Sequence, residues 1–278
     1  MKQIRRWTRV LSLALCICML AGLLPVQALA DETETVRALS GDVREITKGS
    51  PIDGTDYYVT SLKNYAIAPD ISEKVIMTNT AEGDSQTVAN VMEMDLSNGY
   101  VKLAAGYGSL NPASEGWKLA STTEQVRLYE NAYQENVVGG INASLFNITS
   151  GEPMGYLVMK GVTYKNDTSR AFVAVFDDGS VGMYDKGVTL ADAEAMQSEK
   201  QGRAVKVTEA IAGWVVLVDG ETVASSGSNP GYYSRSAIGM KADGTIVMLQ
   251  ADGTMAPRSV GYTLEEMGCM MKSLGCVY

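Results

Sequence analysis

Apolar and polar positions along this chain alternate mostly in short blocks, the spacing of strands, and turn to a helical period in only a few places. Strand-like runs begin at Tyr57 and include Lys74–Met77 and Val88–Leu96, where Val91 and Met92 interrupt a clean alternation. Ser97-Asn98-Gly99 predicts a turn that returns the chain into a strand over Tyr100–Leu103. Val137–Ile141 is short, apolar and glycine-containing, and predicts a central strand. Two Asp-Gly pairs, Asp178-Gly179 and Asp243-Gly244, separate further strand-like segments: Ala171–Phe176 from Val181–Tyr184, and Ala237–Lys241 from Thr245–Gln250. Asp-Gly readily adopts the positive φ angles that a two-residue hairpin requires, so both pairs predict hairpins. A third pair, Asp252-Gly253, lies outside such a frame.

Three segments read as helices. Over Ser121–Asn136, Val126, Tyr129 and Tyr133 share a face, and Ser121 with Glu124 or Thr122 with Gln125 has capping-box spacing. Ala191–Arg203 is alanine-rich and charged, which predicts an exposed helix. Thr263 with Glu266 opens a helix that runs to Leu274, where Gly275 suits a left-handed stop. Cys276–Tyr278 then reads as the start of a strand. Together these elements predict an α+β domain from residue 55 to 278: a mixed, largely antiparallel sheet with hairpins, and two or three helices packed on it.

The first thirty residues follow a different logic. Lys2, Arg5, Arg6 and Arg9 precede the almost wholly apolar run Val10–Leu24, and Ala28-Leu29-Ala30 follows Pro25. A basic start, a short apolar stretch and a small-residue cleavage pattern predict a secretory signal peptide over residues 1–30. An uncleaved N-terminal anchor is the alternative, and either places the bulk of the chain outside the cytoplasm. Residues 31–54 are polar and aperiodic at their start and predict a disordered linker.

Composition narrows the chemistry. The chain carries 23 basic and 32 acidic residues and no histidine. A net charge of −9 argues against nucleic-acid or anionic-lipid partners, and the lack of imidazole excludes Ser-His-Asp triads and histidine zinc sites. Beyond the leader only Cys269 and Cys276 remain, two turns apart if their segment is helical, which favours free thiols unless the chain reverses at Gly275. Asp177 and Asp178 fit a hairpin turn more simply than a calcium site. Trp117, Tyr232 and Tyr233 are read either as sugar-stacking residues or as packing within their own domain.

Four segments in consistent order resemble the phosphodiester glycosidase family. Gly140-Ile141-Asn142-Ala143-Ser144-Leu145-Phe146 resembles the family's Gly-Ile-Asn-Gly-Gly-Phe-Phe. Gly151-Glu152-Pro153-Met154-Gly155 leads to Lys160-Gly161. Arg235-Ser236-Ala237-Ile238-Gly239 runs into the Asp243-Gly244 turn, where the family usually has Arg-Thr. The last segment runs from Asp252-Gly253 through Ser259–Glu266 to Leu274-Gly275-Cys276. The departures are Ala143 and Ser144 in place of glycines and Thr254 where the family commonly has Arg. The family also continues past this last helix with a strand and an Asn-Leu-Asp-Gly-Gly-Gly-Ser-Ser-like loop. The resemblance therefore implies a C-terminally incomplete domain, whose missing loop favours binding without catalysis for this chain and hydrolysis for a longer parent.

The reaction implied by the resemblance is hydrolysis of a sugar-1-phosphodiester bond, on cell-surface or extracellular glycopolymers. Arg235 is the phosphate holder in this reading, since a guanidinium fork matches phosphate oxygens and stays charged. Asn142 hydrogen-bonds sugar or phosphate, and Asp252 serves as acid/base. Glu152, Gly155 and Ser236 form the substrate-binding set. No metal or cofactor is implied, and the partner is a carbohydrate or glycopolymer, with no nucleic acid and no membrane beyond export. Two other classes stay open: a non-catalytic glycan-binding or cell-envelope module, and a surface scaffold, for which Asn142 and Arg235 would lie far apart.

Overall fold

A computed structural model describes residues 45–223 and 231–278. The leader predicted over 1–30 and residues 31–44 of the predicted linker lie outside the described residues. In chain order the elements are β1 (Tyr57–Ala68), β2 (Ile71–Thr80), β3 (Gln86–Met94), α1 (Pro112–Glu115), α2 (Thr122–Tyr133), β4 (Leu145–Phe146), β5 (Pro153–Met154), β6 (Leu157–Met159), β7 (Val162–Lys165), β8 (Ala171–Phe176), β9 (Val181–Tyr184), α3 (Leu190–Gln201), β10 (Val207–Gly213), β11 (Leu217–Val218), β12 (Glu221–Thr222), β13 (Arg235–Met240), β14 (Ile246–Ala251) and α4 (Leu264–Ser273). The α+β class holds, but the strands form two antiparallel five-stranded sheets rather than one. Their orders are β1-β2-β3-β14-β13 and β7-β6-β10-β8-β9.

Four layers result, and the strand sequences show why. Ile246, Val247, Met248 and Leu249 of β14 are all buried, which alternation on a one-sided sheet would not allow. Val247 and Leu249 point to one side, where they cluster with Ala89 and Val91 of β3 and with Met267, Met270, Met271 and Leu274 of the α4 segment. Ile246 and Met248 point to the other side and meet Leu157, Val175 and Ile211 of the second sheet. The broken alternation at Val91 and Met92 has the same cause, since β3 is covered on both faces. The far face of the second sheet is closed by α3, around Tyr156, Phe172, Ala193 and Ala212. Each large apolar side chain buried in these layers contributes about 1.5–3 kcal/mol.

Local signals read from sequence are largely in place. All three long helices begin with capping boxes: Ser121 with Glu124, Thr189 with Asp192, and Thr263 with Glu266. The two expected hairpins form with Gly179 and Gly244 at positive φ. Cys269 and Cys276 are free and buried, and burial pushes the Cys276 thiol up to about 12.

Three expectations need correction. Tyr100–Leu103 forms no strand after its turn; Val101 and Leu103 are buried between the sheets as irregular chain. Val137–Ile141 likewise forms no central strand. Val137 packs beneath α2 with Val126 and Tyr129, and Gly139 lets Met92 approach so closely that a Cβ would lie 2.3 Å from the Met92 methyl. The predicted linker also joins the fold before residue 55, since Ile52 is 1% exposed and belongs to the α4-side core.

One buried charge ties separate elements together. Glu209 on β10 is 6% exposed, and its carboxylate accepts the Ala105 N–H at 3.2 Å and the Lys160 N–H at 3.2 Å. It thus joins the irregular 101–105 segment and the β6–β7 turn to the second sheet. Burial is the main influence and pushes the Glu209 carboxyl up to about 7; the two N–H donors and the Lys160 ammonium pull down, while Glu135 pushes up.

Candidate active site

A cleft of about 420 Å³ opens beside β13, the last strand of the first sheet. Its walls come from the loop before β4, from β8, from the chain after β9 and β10, from β13 and from α4. A cleft of this size falls in the range of small-ligand sites.

Asn142, Arg235 and Ser236, three of the residues expected from sequence, meet in this cleft. The Ser236 hydroxyl donates to Asn142 Oδ1 at 2.6 Å, joining β13 to a loop 94 positions earlier in the chain. That loop is held by its serine. Ser144 takes a left-handed φ of 55°, a conformation that suits glycine and costs another residue on the order of 1 kcal/mol. Its hydroxyl oxygen accepts the Ala212 N–H of β10 at 3.1 Å, which offsets part of that cost. The departure from glycine at this position is therefore accommodated without moving Asn142 off the cleft.

Arg235 is anchored on rigid neighbours. Its Nε donates to the Tyr262 carbonyl and its Nη2 to the Gly231 carbonyl at 2.8 Å, while the guanidinium carbon stands 5.4 Å from the centre of the Tyr233 ring. Tyr262 is itself fixed, buried against Tyr57 with its hydroxyl 2.6 Å from Thr78 Oγ1. Burial lowers the Arg235 pKa from its ordinary value, with Tyr233 and Glu266 opposing. A guanidinium starts so basic that it remains cationic. The arrangement presents a fixed positive charge beside two amide and hydroxyl groups, which suits an anion carried on a sugar.

The other three expected residues lie off the cleft. Asp252 extends β14; its Oδ1 accepts Gln250 Nε2 at 3.1 Å and its N–H donates to the Val88 carbonyl at 2.9 Å. Its partner Gly253 is there for close approach, because a Cβ would lie 2.3 Å from the Ser234 nitrogen. Glu152, in the loop between β4 and β5, pairs with Lys165. Gly155 has a φ of 90° and abuts Ala212, whose Cβ would be 2.3 Å from an added one, while its N–H donates to Asp167 Oδ2 at 3.0 Å. Packing explains this glycine. Gly155→Ala is expected to lose about 3 kcal/mol or more of stability, combining a positive φ with a clash between the new methyl and that of Ala212 on β10. Urea unfolding of the two proteins measures it, and a loss below 1 kcal/mol would refute the packing role.

Sequence reasoning missed several cleft residues. Asp185, just past β9, is the carboxylate that lines the cleft among the described residues, and Trp214, just past β10, contributes an indole that is 37% exposed. Neither belongs to a motif; only their positions at strand ends mark them. Of the three aromatics considered from sequence, Tyr233 lines the cleft, whereas Trp117 packs edge-on against Tyr107 with ring centres 5.7 Å apart. Among the described residues no three Cys, Asp or Glu side chains gather as a metal-binding set.

Comparison with known proteins bears on this geometry. The phosphodiester glycosidase family model matches residues 135–278. The SPbeta prophage-derived uncharacterized protein YomE of Bacillus subtilis (strain 168) is 28% identical over 177 residues, which is 61% of this chain and 26% of that protein. The chain thus spans about a quarter of the length of that relative. Among solved structures, the zebrafish N-acetylglucosamine-1-phosphodiester alpha-N-acetylglucosaminidase catalytic domain, auto-inhibited by its pro-peptide, shares the fold. It has a TM-score of 0.55 at 11% identity and covers 80% of this chain and 74% of its own. The family match spans more than half of the chain and includes Asn142, Arg235 and Ser236; this chain belongs to the phosphodiester glycosidase family.

Proposed function

We propose that this protein hydrolyses sugar-1-phosphodiesters at the cell surface, with the cleft at the β13 edge as its active site. The observation that carries the reading is the convergence of Asn142, Ser236 and the anchored Arg235 in one opening, inside the span that matches the family. In this reading Arg235 balances the phosphodiester charge and stabilises the phosphate as it leaves the anomeric carbon. Asn142, oriented by the Ser236 hydroxyl, keeps its amide N–H groups for sugar or phosphate oxygens. Asp185 is the carboxylate placed to direct water or to support positive charge at the anomeric carbon. Action outside the cytoplasm is supported by the basic, apolar and small-residue pattern over residues 1–30.

A second reading, a glycan-binding module without catalysis, is favoured by one observation: Asp252 and Glu152 both lie off the cleft and are held by their own neighbours. Release of free N-acetylglucosamine from a synthetic N-acetylglucosamine-1-phosphodiester separates the two. Turnover that falls at least tenfold in Asp185→Asn supports the hydrolase. Saturable binding with no turnover by the folded protein supports the module.

A further inference from the structure

We propose that the substrate of this cleft is a sugar-1-phosphodiester whose second alcohol is apolar, an alkyl chain or an aromatic ring, rather than another sugar or polyol. The inference rests on the proposed function for the position of the phosphate and goes beyond it on the aglycone side.

The first argument is the lining. Asn142, Ser234, Ser236 and Arg235, with the Asp185 carboxylate, supply the polar recognition, enough for one phosphate and one sugar. Most of the remaining lining is hydrocarbon, with Trp214 exposed and Val215 and Val216 half-buried in the chain after β10, while Leu217, Leu264 and Met267 are almost fully buried. Trp214 leaves 37% of its surface in solvent there, an exposed area that a ligand can cover. A polyol aglycone would bring hydroxyls against these walls with few partners, and each one desolvated without a hydrogen bond costs about tenfold in affinity. A hydrocarbon aglycone gains from the same surface, about fourfold in affinity for each methylene covered.

The second argument is charge. The chain carries a net charge of −9, which repels a polymer with repeating phosphates while tolerating a single phosphodiester held at one guanidinium.

The test uses the full chain and three synthetic esters of N-acetylglucosamine-1-phosphate, with glycerol, butanol and hexanol as the second alcohol. Dissociation constants come from tryptophan fluorescence or calorimetry, and kcat/KM from sugar release. Affinity is expected to rise at least tenfold from the glyceryl to the butyl ester and to rise again for the hexyl ester. Trp214→Ala is expected to flatten that series, with Val216→Asn as a second variant if the first fails to fold. Equal affinity for the glyceryl and hexyl esters overturns the inference, as does an unchanged gradient in both folded variants. Turnover of all three esters with equal kcat/KM keeps the hydrolase reading and overturns this one. Binding graded by chain length without any turnover does the reverse, and binding of none overturns both.

Discussion

Replacing Arg235 with alanine is expected to lower kcat/KM for a sugar-1-phosphodiester by roughly 10²–10³, the usual loss when one fixed donor to a developing anion is removed. The size of the effect follows from preorganisation. The guanidinium is held by the carbonyl oxygens of Tyr262 and Gly231 and lies over Tyr233, so its charge is already in position before the reaction begins. Arg235→Lys keeps the charge but loses the planar fork and both of its anchors, and an intermediate loss of about tenfold is expected. Because the anchors also tie β13 to the Tyr262 segment, both variants need a melting curve beside the rate. An Arg235→Ala protein that melts cooperatively and still turns over within threefold of the parent would remove Arg235 from the phosphate site.

The positions legible in the sequence were those whose cause is local. Gly179 and Gly244 follow Asp in two hairpins because the turn itself demands their positive φ. The capping boxes at Ser121 and Thr263 were legible because each side chain satisfies an N–H three residues away, whatever the rest of the chain does, whereas the one at Thr189 went unread. What failed was non-local. Val137–Ile141 has a strand's composition, yet α2 above Val137 and the Met92 side chain against Gly139 take the places of neighbouring strands. Tyr100–Leu103 is apolar because it fills the space between two sheets, and a sequence read as one sheet offers no such space. At the site, Asn142, Arg235 and Ser236 were visible through the family's motifs. Asp185 and Trp214 were not, since each owes its place to the end of a strand and to no pattern around it. Asp252 and Glu152 also belong to segments that resemble the family, yet the structure pairs them with Gln250 and Lys165 away from the cleft.

Glu209 was invisible for the same reason, a charged residue in an otherwise apolar strand, and it supports the largest expected effect of pH. In the unfolded chain it titrates in the ordinary carboxylate range, whereas in the fold burial pushes it up to about 7. Between those two values the folded protein holds a proton that the unfolded chain has released. Stability is therefore greatest below the unfolded value, falls as pH rises towards about 7, and levels off above it. For an isolated group the span corresponds to about 3 kcal/mol. The neighbouring charges set how much of it survives: the Lys160 ammonium favours ionisation, but its Nζ is engaged by Glu135 at 2.9 Å and lies over the Tyr129 and Tyr133 rings. Glu209→Gln keeps the shape and an oxygen for the Ala105 and Lys160 N–H groups while removing the charge. The variant is expected to match the parent near pH 4.5 and to exceed it by about 1–3 kcal/mol at pH 8, with a correspondingly flatter dependence between. Urea unfolding of both proteins at four pH values from 4.5 to 8 measures the difference. A parent whose stability rises from pH 5 to 7, joined by a glutamine variant that rises in parallel, would mean that Glu209 is already ionised in the fold and that its two backbone donors outweigh its burial.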